Sequence, residues 1–360
     1  MTPVSIGMIG AGWFGRKHVE VMRREPACRL AAIADPAPEA RAYAQSAGVP
    51  CFERYEEMLD RVKPRAAIIA APNLLHAPAG MACAERGIPM LVEKPIADTV
   101  ESAMPLIAAA ERAGVALLVG HHRRYNPIIA KAREIVRAGA LGRITAVSAQ
   151  WMLLKADEYF SAAHRRLPGA GPILTNAVHD IDDLRFICGE IASVQAMTSH
   201  AVRQYPVEDT AVIVFRFAGG ALGTLTVSDT AAAPWSWELT SGENPFYPRN
   251  DENCYLISGT EGALAVPRLE LWRYREQAEK GWTQPLSRER LSVEAGDPLA
   301  RQIRHFCAVA RGEAEPAVTG RDAARSLRVV QAVLEAAKTG YTFEIDAERE
   351  IGESCSCLSL

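Results

Sequence analysis

Short apolar runs recur through the first third of the chain and are separated by amphipathic stretches. The runs are continuous, as in strands buried on both faces, at Val4 to Ile9, Leu30 to Ala34, Ala66 to Ala70, Pro89 to Val92 and Val115 to Val119. Helical spacing of apolar residues lies between them, at Trp13 to Arg24, from near Pro38, and at Tyr55 to Arg61, Ala77 to Arg86 and Thr99 to Ala113. Strands that alternate with helices predict an α/β domain with a doubly wound parallel sheet.

The second half of the chain carries short alternating or β-branched runs instead. They predict strands at Arg143 to Trp151, Val194 to His200, Thr210 to Phe217, Ala221 to Ser228, Trp237 to Ser241, Cys254 to Ser258 and Tyr341 to Ile345. Gly219-Gly220 is predicted to form a two-residue hairpin turn. Helices are expected at Val178 to Cys188, Pro298 to Ala310 and Arg321 to Lys338, and an irregular loop at Leu154 to Pro168. This pattern predicts an α+β domain with a large, mostly antiparallel sheet.

The chain has 360 residues, which is more than one domain with a single hydrophobic core ordinarily contains, so we predict two domains. The polar stretch after Val119 marks the passage between them, so we place a dinucleotide-type α/β domain at 1–122 and the α+β domain at 123–350. Residues 351–360 are predicted to be a disordered tail, because the sequence there is short, polar and terminal.

Composition and charge exclude several classes of partner. The formal net charge is −3 and the pI is near 6.3, so the chain has no excess of positive charge that would attract nucleic acid or an anionic membrane. No apolar run approaches the roughly 20 residues that cross a bilayer. The eight cysteines show no zinc-type spacing and indicate reduced thiols in a cytoplasmic protein. Cys355 and Cys357 form a CxC pair in the polar tail. The pair has two interpretations, a redox or metal-binding role and a frayed terminus without a role. A small soluble ligand is the expected partner.

A glycine motif directly follows the first strand. Gly10 makes the tight turn, Gly12 lets a pyrophosphate approach the backbone, and Gly15 lets helix and strand pack closely. Trp13 and Phe14 complete the motif and join the predicted cofactor contacts. Asp35 ends the second strand, where a carboxylate accepts hydrogen bonds from ribose hydroxyls and repels a 2′-phosphate. The predicted cofactor is therefore NAD in preference to NADP. The alternative for Asp35 is a cap on the helix that begins near Pro38.

Two further strand ends carry polar residues. The turn after Ala70 contains Pro72, Asn73 and His76, which we expect on the nicotinamide side of the cofactor, with turn formation and helix capping as the alternative for Asn73 and His76. Glu93 and Lys94 end a buried strand and are followed by a proline that prevents the strand from continuing. An ammonium beside an oxidised nicotinamide has a lowered proton affinity, so Lys94 is the catalytic candidate. The alternative is a surface lysine on a turn.

A histidine begins the helix predicted at Val178 to Cys188. The partial positive charge of a helix N-terminus would lower the pKa of His179 and favour a neutral ring that accepts a proton. Asp182 lies on the same side of the helix and is placed to hold the other ring nitrogen. The alternative is a structural histidine. No further ligands stand at a convincing spacing from this pair, so no metal site is predicted.

The chain resembles the Gfo/Idh/MocA family, named after glucose-fructose oxidoreductase and inositol dehydrogenase. The resemblance is carried by GAGWFG at 10–15, EKP at 93–95, GHHRRYNP at 120–127 and GAGPIL followed by TNAVHDID at 169–182. It implies a nicotinamide-dependent oxidoreductase with an N-terminal Rossmann domain and a C-terminal domain built on a mostly antiparallel sheet. It also implies that Lys94 binds the reacting oxygen of the substrate and that His179 is the second-domain catalytic residue.

One position departs from the family pattern. Many sugar and inositol dehydrogenases of this family have an aspartate four residues before the histidine, where this chain has Thr175, and the neighbouring Asn176 offers a neutral polar contact instead. The remaining predicted substrate contacts are polar residues near the domain passage and in the irregular loop. They are Arg123, Tyr125, Lys155 and Arg165, and with Arg166 the last two leave room for a carboxylated substrate.

These observations predict hydride transfer between a secondary alcohol of a cyclic polyol, sugar or sugar-acid-like substrate and C4 of NAD, with Lys94 and His179 handling the proton. Three alternatives stay open: a dihydrodiol or carboxylated-ring dehydrogenase, an NAD-dependent redox glycosidase, and a non-catalytic dinucleotide-binding sensor. The broad sheet of the second domain predicts a homodimer or homotetramer.

Overall fold

A computed structural model describes residues 2–275 and 280–345, which form two compact units. The first contains residues 2–125 and 297–327, and the second contains the remaining described residues. The chain thus leaves the first unit after Tyr125 rather than after His122, and 297–327 clusters with the first unit instead of the second. The physical reason is hydrogen bonding and packing, since Val119 N donates to Val318 O at 3.0 Å and the helix at Pro298–Ala310 packs on the helix at Trp13–Met22.

The structure assigns the following strands: β1 Val4–Ile9, β2 Cys28–Ala34, β3 Cys51–Phe52, β4 Ala66–Ile69, β5 Met90–Glu93, β6 Leu117–Gly120, β7 Ile144–Met152, β8 Ile191–Ser199, β9 Thr210–Phe217, β10 Leu222–Ser228, β11 Tyr255–Gly259, β12 Gly262–Val266, β13 Glu270–Tyr274, β14 Leu286–Arg290 and β15 Phe343–Glu344. The α-helices are α1 Trp13–Met22, α2 Pro38–Ser46, α3 Tyr55–Val62, α4 His76–Ala84, α5 Val100–Ala113, α6 Pro127–Arg137, α7 Val178–Cys188, α8 Trp237–Thr240, α9 Pro298–Ala310 and α10 Gly320–Thr339.

The first unit is built on a parallel sheet with the strand order β3-β2-β1-β4-β5-β6. Strands β4, β5 and β6 are buried along their whole length, which explains why their sequences are continuous apolar runs. The predicted doubly wound sheet is confirmed. Because the strands are parallel, the carboxyl ends of β1, β4 and β5 lie at the same edge, and this edge carries the glycine motif, the Asn73 turn and Lys94.

The second unit is built on a nine-stranded sheet with the order β14-β13-β12-β11-β7-β10-β9-β8-β15. Only β7 and β10 pair in parallel, so the sheet is mostly antiparallel, as predicted. One face is covered by helices, with α6 and α7 packed together and the core formed by residues such as Trp151, Ile181 and Phe215. The parallel pair matters for the site, because β7 and β10 end at the same edge of the sheet.

The strand predicted at Trp237 to Ser241 is wrong, because this segment forms the short helix α8. Ser236 begins it, with its hydroxyl oxygen accepting a hydrogen bond from Leu239 N at 3.2 Å. Trp237 is 1% exposed and stacks on Tyr255 at a ring distance of 6.2 Å. The alternation of large and polar residues came from one buried aromatic side chain and a capped turn, and not from a pleated strand.

The hairpin between β9 and β10 also differs in detail from the prediction. Gly220 N donates to Phe217 O at 2.8 Å, so Ala218 and Gly219 are the central residues of the turn. Gly220 follows with φ +86°, which is the left-handed conformation that glycine adopts without cost. The prediction missed β3, β12, β13, β14 and α6. The tail at 351–360 and Cys355 and Cys357 lie outside the described residues.

No described helix is long and apolar enough to cross a membrane. The six cysteines within the described ranges are all free thiols.

Candidate active site

The three glycines of the motif are required for three different reasons. Gly10 has φ +91°, and a Cβ there would lie 2.5 Å from Ala70 O on the neighbouring strand. A Cβ on Gly15 would lie 2.2 Å from Gly10 O, so this glycine lets α1 pack on the loop. Gly12 has an ordinary φ of −65° and open space around the Cβ position. Neither conformation nor a protein neighbour demands glycine there, which fits a position that must leave room for a bound group.

The N-terminus of α1 is available to an anion. Gly12 provides no side-chain cap, and the first turn contains no acidic residue. Its first N–H groups therefore present their partial positive charge towards the open space at Gly12. Trp13 at the start of the helix is 65% exposed, whereas Phe14 is half-buried with its ring 5.3 Å from that of His18. The residues present fit the phosphates of a dinucleotide.

Asp35 is fixed by two backbone hydrogen bonds. Its Oδ2 accepts from Ala11 N at 2.7 Å, and its Oδ1 accepts from Ala37 N at 2.8 Å. The second bond is a local turn and not a cap, because α2 begins after Ala37 without a side-chain cap. The carboxylate therefore stands at the end of β2 and braces the glycine loop at the same time.

The residues predicted as cofactor contacts in the turn after β4 differ in their exposure to solvent. Pro72 is exposed and Asn73 is half-buried at the start of a 3-10 turn, Asn73–Leu75, that has no side-chain cap. His76 is 1% exposed, with Nδ1 2.8 Å from Pro95 O and Nε2 2.8 Å from Ala71 O. Burial lowers the pKa of His76, and the two carbonyl contacts offset part of that effect. His76 thus contacts the backbone of two loops, and its role in holding cofactor stays a prediction.

Lys94 follows the last residue of β5 and is half-buried. Glu93 is 5% exposed, with Oε1 2.7 Å from His18 Nε2 and Oε2 accepting from Lys94 N at 3.2 Å. Gly120 on β6 leaves space for this carboxylate, because a Cβ there would lie 2.7 Å from Glu93 Oε1. The strand-end lysine is therefore anchored through its own backbone to a buried acid.

In the second unit, His179 lies in α7 and is 9% exposed. The helix has no free N-terminus there, because a π-helical segment, Ile173–Ala177, runs into α7 and Ala177 is itself helical. The predicted electrostatic effect of a helix N-terminus on His179 therefore has no basis in this geometry. Asp182 is 1% exposed, and its carboxylate lies 3.9 Å from the guanidinium of Arg185.

Lys155, Thr175 and Asn176 form one connected group. Lys155 Nζ donates to Asn176 Oδ1 at 2.9 Å, and Thr175 Oγ1 lies 2.8 Å both from that oxygen and from Gly171 O. The ammonium is also 3.6 Å from Asp229, and its side chain is only 9% exposed. Burial lowers the pKa of Lys155, although the charge and hydrogen bond of Asp229 act in the opposite direction. Burial likewise raises the pKa of Asp229 against the effect of Lys155 and Arg203.

The other predicted substrate contacts are scattered over the two units. Arg165 is half-buried, donates to Tyr159 O at 2.9 Å and stacks on the Tyr159 ring. Arg123 is 3% exposed in a 3-10 turn after β6. Tyr125 ends that turn with its ring 5.6 Å from that of His305. Burial raises the pKa of Tyr125.

Sequence reasoning missed several residues that shape these regions. His18 occupies the buried face of α1 beside Val19 and Met22, and a histidine at such an apolar position was the available signal. Asp229 directly follows β10, and an acid at a strand end was the corresponding signal there. Within the described residues, no three histidine, cysteine or acidic side chains form a group that could hold a metal ion.

The first unit has the features of a dinucleotide-binding domain. These are the sheet order β3-β2-β1-β4-β5-β6, the glycine loop, the uncapped N-terminus of α1 and the acid that follows β2. Comparison with known proteins gives the family. Residues 4–121 match the model of the Gfo/Idh/MocA oxidoreductases with an NAD-binding Rossmann fold, and residues 129–265 match the model of their C-terminal domain. The chain belongs to the Gfo/Idh/MocA family, and its predicted class, a nicotinamide-dependent dehydrogenase, is confirmed.

Individual relatives cover most or part of the chain. The rhizopine catabolism protein MocA of Rhizobium meliloti is 28% identical over 343 residues, which are 93% of this chain and 95% of the relative. Inositol 2-dehydrogenase of Rubrobacter xylanophilus is 32% identical over 234 residues, 62% of this chain and 64% of the relative. The WlbA dehydrogenase of Bordetella pertussis, solved with NADH and UDP-GlcNAcA, is 25% identical with a TM-score of 0.79, covering 96% of this chain and 100% of that one.

Proposed function

We propose that this enzyme transfers a hydride between a secondary alcohol carbon of a cyclic polyol, sugar or sugar-acid-like substrate and C4 of NAD, with Lys94 and His179 handling the proton. The observation that carries the proposal is the position of Lys94. It follows β5 at the sheet edge that also carries the glycine loop and the Asn73 turn. Ligands of open parallel sheets bind at this edge.

The cofactor, when bound, supplies the hydride acceptor at its nicotinamide ring. Gly10, Gly12 and Gly15 shape the loop for its phosphates, and Asp35 stands where ribose hydroxyls donate. The Lys94 ammonium donates to the substrate oxygen and stabilises negative charge that develops on it. On oxidation, His179 takes the hydroxyl proton while the carbon–hydrogen bond breaks, and on reduction it returns that proton to the oxygen.

Lys94→Ala tests this assignment. We expect turnover to fall by about 10²- to 10⁴-fold, the range for loss of a positioned proton-transfer group, with NADH binding retained. Steady-state kinetics and a fluorescence titration with NADH measure the two quantities. Near-normal turnover in the folded variant would sink the role of Lys94. His179→Asn, measured in the same way, tests the second proton group.

The preference for NAD over NADP is part of the proposal. Asp35 supports it, because its carboxylate is held at the end of β2 by Ala11 N and Ala37 N and cannot turn away from a 2′-phosphate without breaking both bonds. We expect a higher kcat/KM with NAD. Equal values for the two cofactors would contradict the preference.

The substrate class is supported by the relatives and by this chain's cations. An inositol dehydrogenase and a dehydrogenase solved with UDP-GlcNAcA point to ring hydroxyls. Arg165 and Arg166 lie in the same loop as Tyr159. Because guanidinium groups bind carboxylates, these two arginines favour substrates that also carry a carboxylate. A panel of inositols, sugars, sugar acids and dihydrodiol acids with NAD, read at the absorbance of the reduced cofactor, tests this. No oxidation of any member, with intact NADH binding, would favour a sensor instead.

We further propose a reducing, cytoplasmic location, which the free thiols of the described cysteines support.

We also propose self-association through the open face of the second sheet. That face presents Met197, Val212, Val214, Leu222 and Leu256, each at least 43% exposed. Met197 pairs with Val212 across β8 and β9, so the apolar side chains are neighbours. A second copy of the chain is the partner that covers such a face symmetrically. Light scattering of the wild type and of Val214→Lys tests this, and a monomeric wild type would contradict it.

A further inference from the structure

A buried histidine of α1 reaches the strand that ends in Lys94. His18 Nε2 lies 2.7 Å from Glu93 Oε1, and the two residues are 75 positions apart in the chain. His18 is 0% exposed, and its other ring nitrogen has no hydrogen-bond partner among the described residues. Nε2 is therefore the nitrogen that carries the proton and donates to the carboxylate. This bond ties the helix after the glycine loop to the end of β5.

The same carboxylate holds Lys94 directly. Its second oxygen, Oε2, accepts a hydrogen bond from Lys94 N at 3.2 Å. Burial alone would raise the pKa of Glu93, but the hydrogen bond from His18 and the charges of His18, His122 and Lys94 lower it below its ordinary value. Glu93 therefore stays a carboxylate that accepts from both sides. Gly120 confines it from the next strand, since even a Cβ there would touch Oε1.

A second buried histidine holds the other side of the Lys94 turn. His76 Nδ1 lies 2.8 Å from the carbonyl oxygen of Pro95, and its Nε2 lies 2.8 Å from that of Ala71. Carbonyl oxygens only accept, and a neutral imidazole carries one N–H, so one of the two contacts is a hydrogen bond in the neutral ring and both are in the protonated ring. His76 thereby joins the turn after β4 to the residue that follows Lys94.

We propose that His18 and His76 are positioning residues for Lys94, His18 through Glu93 and the backbone N–H of Lys94, and His76 through the carbonyl of Pro95. The proposal rests on the proposed role of Lys94 in proton handling. Neither histidine needs to touch substrate, because each acts through a hydrogen bond to a residue that adjoins or fixes the lysine. The physical consequence is that the lysine's backbone is fixed on both sides by bonds that originate on other elements of the first unit.

The two histidines use different nitrogens towards the turn, and this difference provides the test. The amide nitrogen of glutamine lies about as far from the backbone as histidine Nε2, whereas that of asparagine corresponds to Nδ1. His18→Gln therefore keeps the donor to Glu93 and His18→Asn loses it. At position 76 the order reverses, because His76→Asn keeps the donor to Pro95 and His76→Gln keeps only the one to Ala71. All four variants bury the same polar group.

We expect kcat to fall by about 10- to 100-fold in His18→Asn and in His76→Gln, as for a misplacement of a reacting group by a fraction of an ångström to an ångström. His18→Gln and His76→Asn should recover at least about a third of wild-type kcat, and NADH affinity should stay within about threefold in both His18 variants. Equal kcat for the two amides at either position, or the reverse order, overturns the proposal. If one variant fails to fold, the pair at the other position decides alone.

Met22→Ala separates positioning from general stability. Met22 lies on the same buried face of α1 and is 2% exposed, but it does not belong to the hydrogen bonds around Lys94. The cavity should lower the free energy of unfolding by about 2 to 5 kcal/mol. Its kcat should equal that of the wild type at a temperature where both are folded. A loss of kcat in Met22→Ala as large as that in His18→Asn would show that stability, and not the position of Lys94, explains the effect.

A double variant distinguishes failure of this inference from failure of the proposed function. If both hold, Lys94→Ala is slow and adding His18→Asn slows it no further, because His18 acts through the lysine. If Lys94→Ala keeps normal turnover, the proposed function fails. If Lys94→Ala is slow but the second substitution slows it by the same factor as in the wild type, the proposed function stands and the positioning role is overturned.

Discussion

The glycine loop and Lys94 turn of the first unit are held mainly by hydrogen bonds to backbone atoms, whereas the charges of the Lys155 group in the second unit are paired through side chains. In the first region, Asp35 accepts from Ala11 N and Ala37 N, and His76 faces two carbonyl oxygens. In the second, Lys155 contacts Asn176 and Asp229 through their side chains. Backbone contacts depend on loop conformation, and side-chain contacts depend on which residue types are present. The first region should therefore be sensitive to added carbon atoms and the second to removed charges.

The largest effect is expected at Gly10. Gly10→Ala combines a left-handed φ with a Cβ 2.5 Å from Ala70 O, so the free energy of unfolding should fall by about 4 kcal/mol or folding should fail. Gly12→Ala is the matched control, with open space and an ordinary φ. Its stability should change by less than about 0.5 kcal/mol while NADH affinity falls at least about tenfold. Urea unfolding and NADH titration measure both. Equal destabilisation by the two alanines would remove the distinction between them.

Removal of a buried charge should be the main weakness of the second region. Asp229 is 2% exposed and is shared by Lys155 and Arg203, whose Nε donates to Oδ1 at 3.1 Å. Asp229→Asn leaves two cations without this carboxylate and should lower the free energy of unfolding by about 3 kcal/mol. The exposed helical pair of Arg61 with Glu57 is the control, where Glu57→Gln should cost less than about 0.5 kcal/mol. Equal costs in urea unfolding would contradict the difference between the regions.

Asp35 sharpens the comparison, because it is a side chain that serves a backbone structure. Asp35→Asn keeps an oxygen for one N–H but loses the acceptor for the other, so stability should fall by about 1 kcal/mol. NADH affinity should fall together with it because the glycine loop loses a brace. A variant that gains NADP activity at full stability would show that Asp35 acts on the cofactor and does not brace the loop.

The smallest effect is a pH dependence that arises in the first region. The pKa of His76 in the folded protein is below its ordinary value of 6.5, because burial disfavours the charged ring. The unfolded chain then binds more protons just below pH 6.5, so the contribution of His76 to stability is complete above that pH and decreases as the pH falls through it. Urea unfolding at pH 5.5 and pH 7.5 should give a smaller difference for His76→Asn than for the wild type. An unchanged difference would assign the pH dependence to other groups.

The glycine motif was predictable because its requirements are local. A short apolar strand followed by GAGWFG and a helical pattern contains the loop, the turn and the anion-binding helix end within a few residues. The alternating runs likewise predicted most strands of the second sheet. The prediction failed at α8, where one buried tryptophan imitated a strand, and at β13 and β14, whose sequences carry charged residues that alternate too weakly. Local patterns predict elements well where one face is clearly apolar.

The sequence by itself determined the class of each unit, the family and the residue types at the cofactor edge, because periodicity and motif spacing are local properties of a chain. Only the tertiary structure decided which of those residues touch. It placed His18 against Glu93 across 75 positions, brought 297–327 to the first unit, and joined Lys155 to Asn176 and Asp229. Contacts between distant residues depend on how strands are ordered and helices packed, and burial then fixes which charges must be paired. The lysine that follows β5 could be predicted as a candidate from the sequence, whereas the contacts of the two histidines with its turn could not.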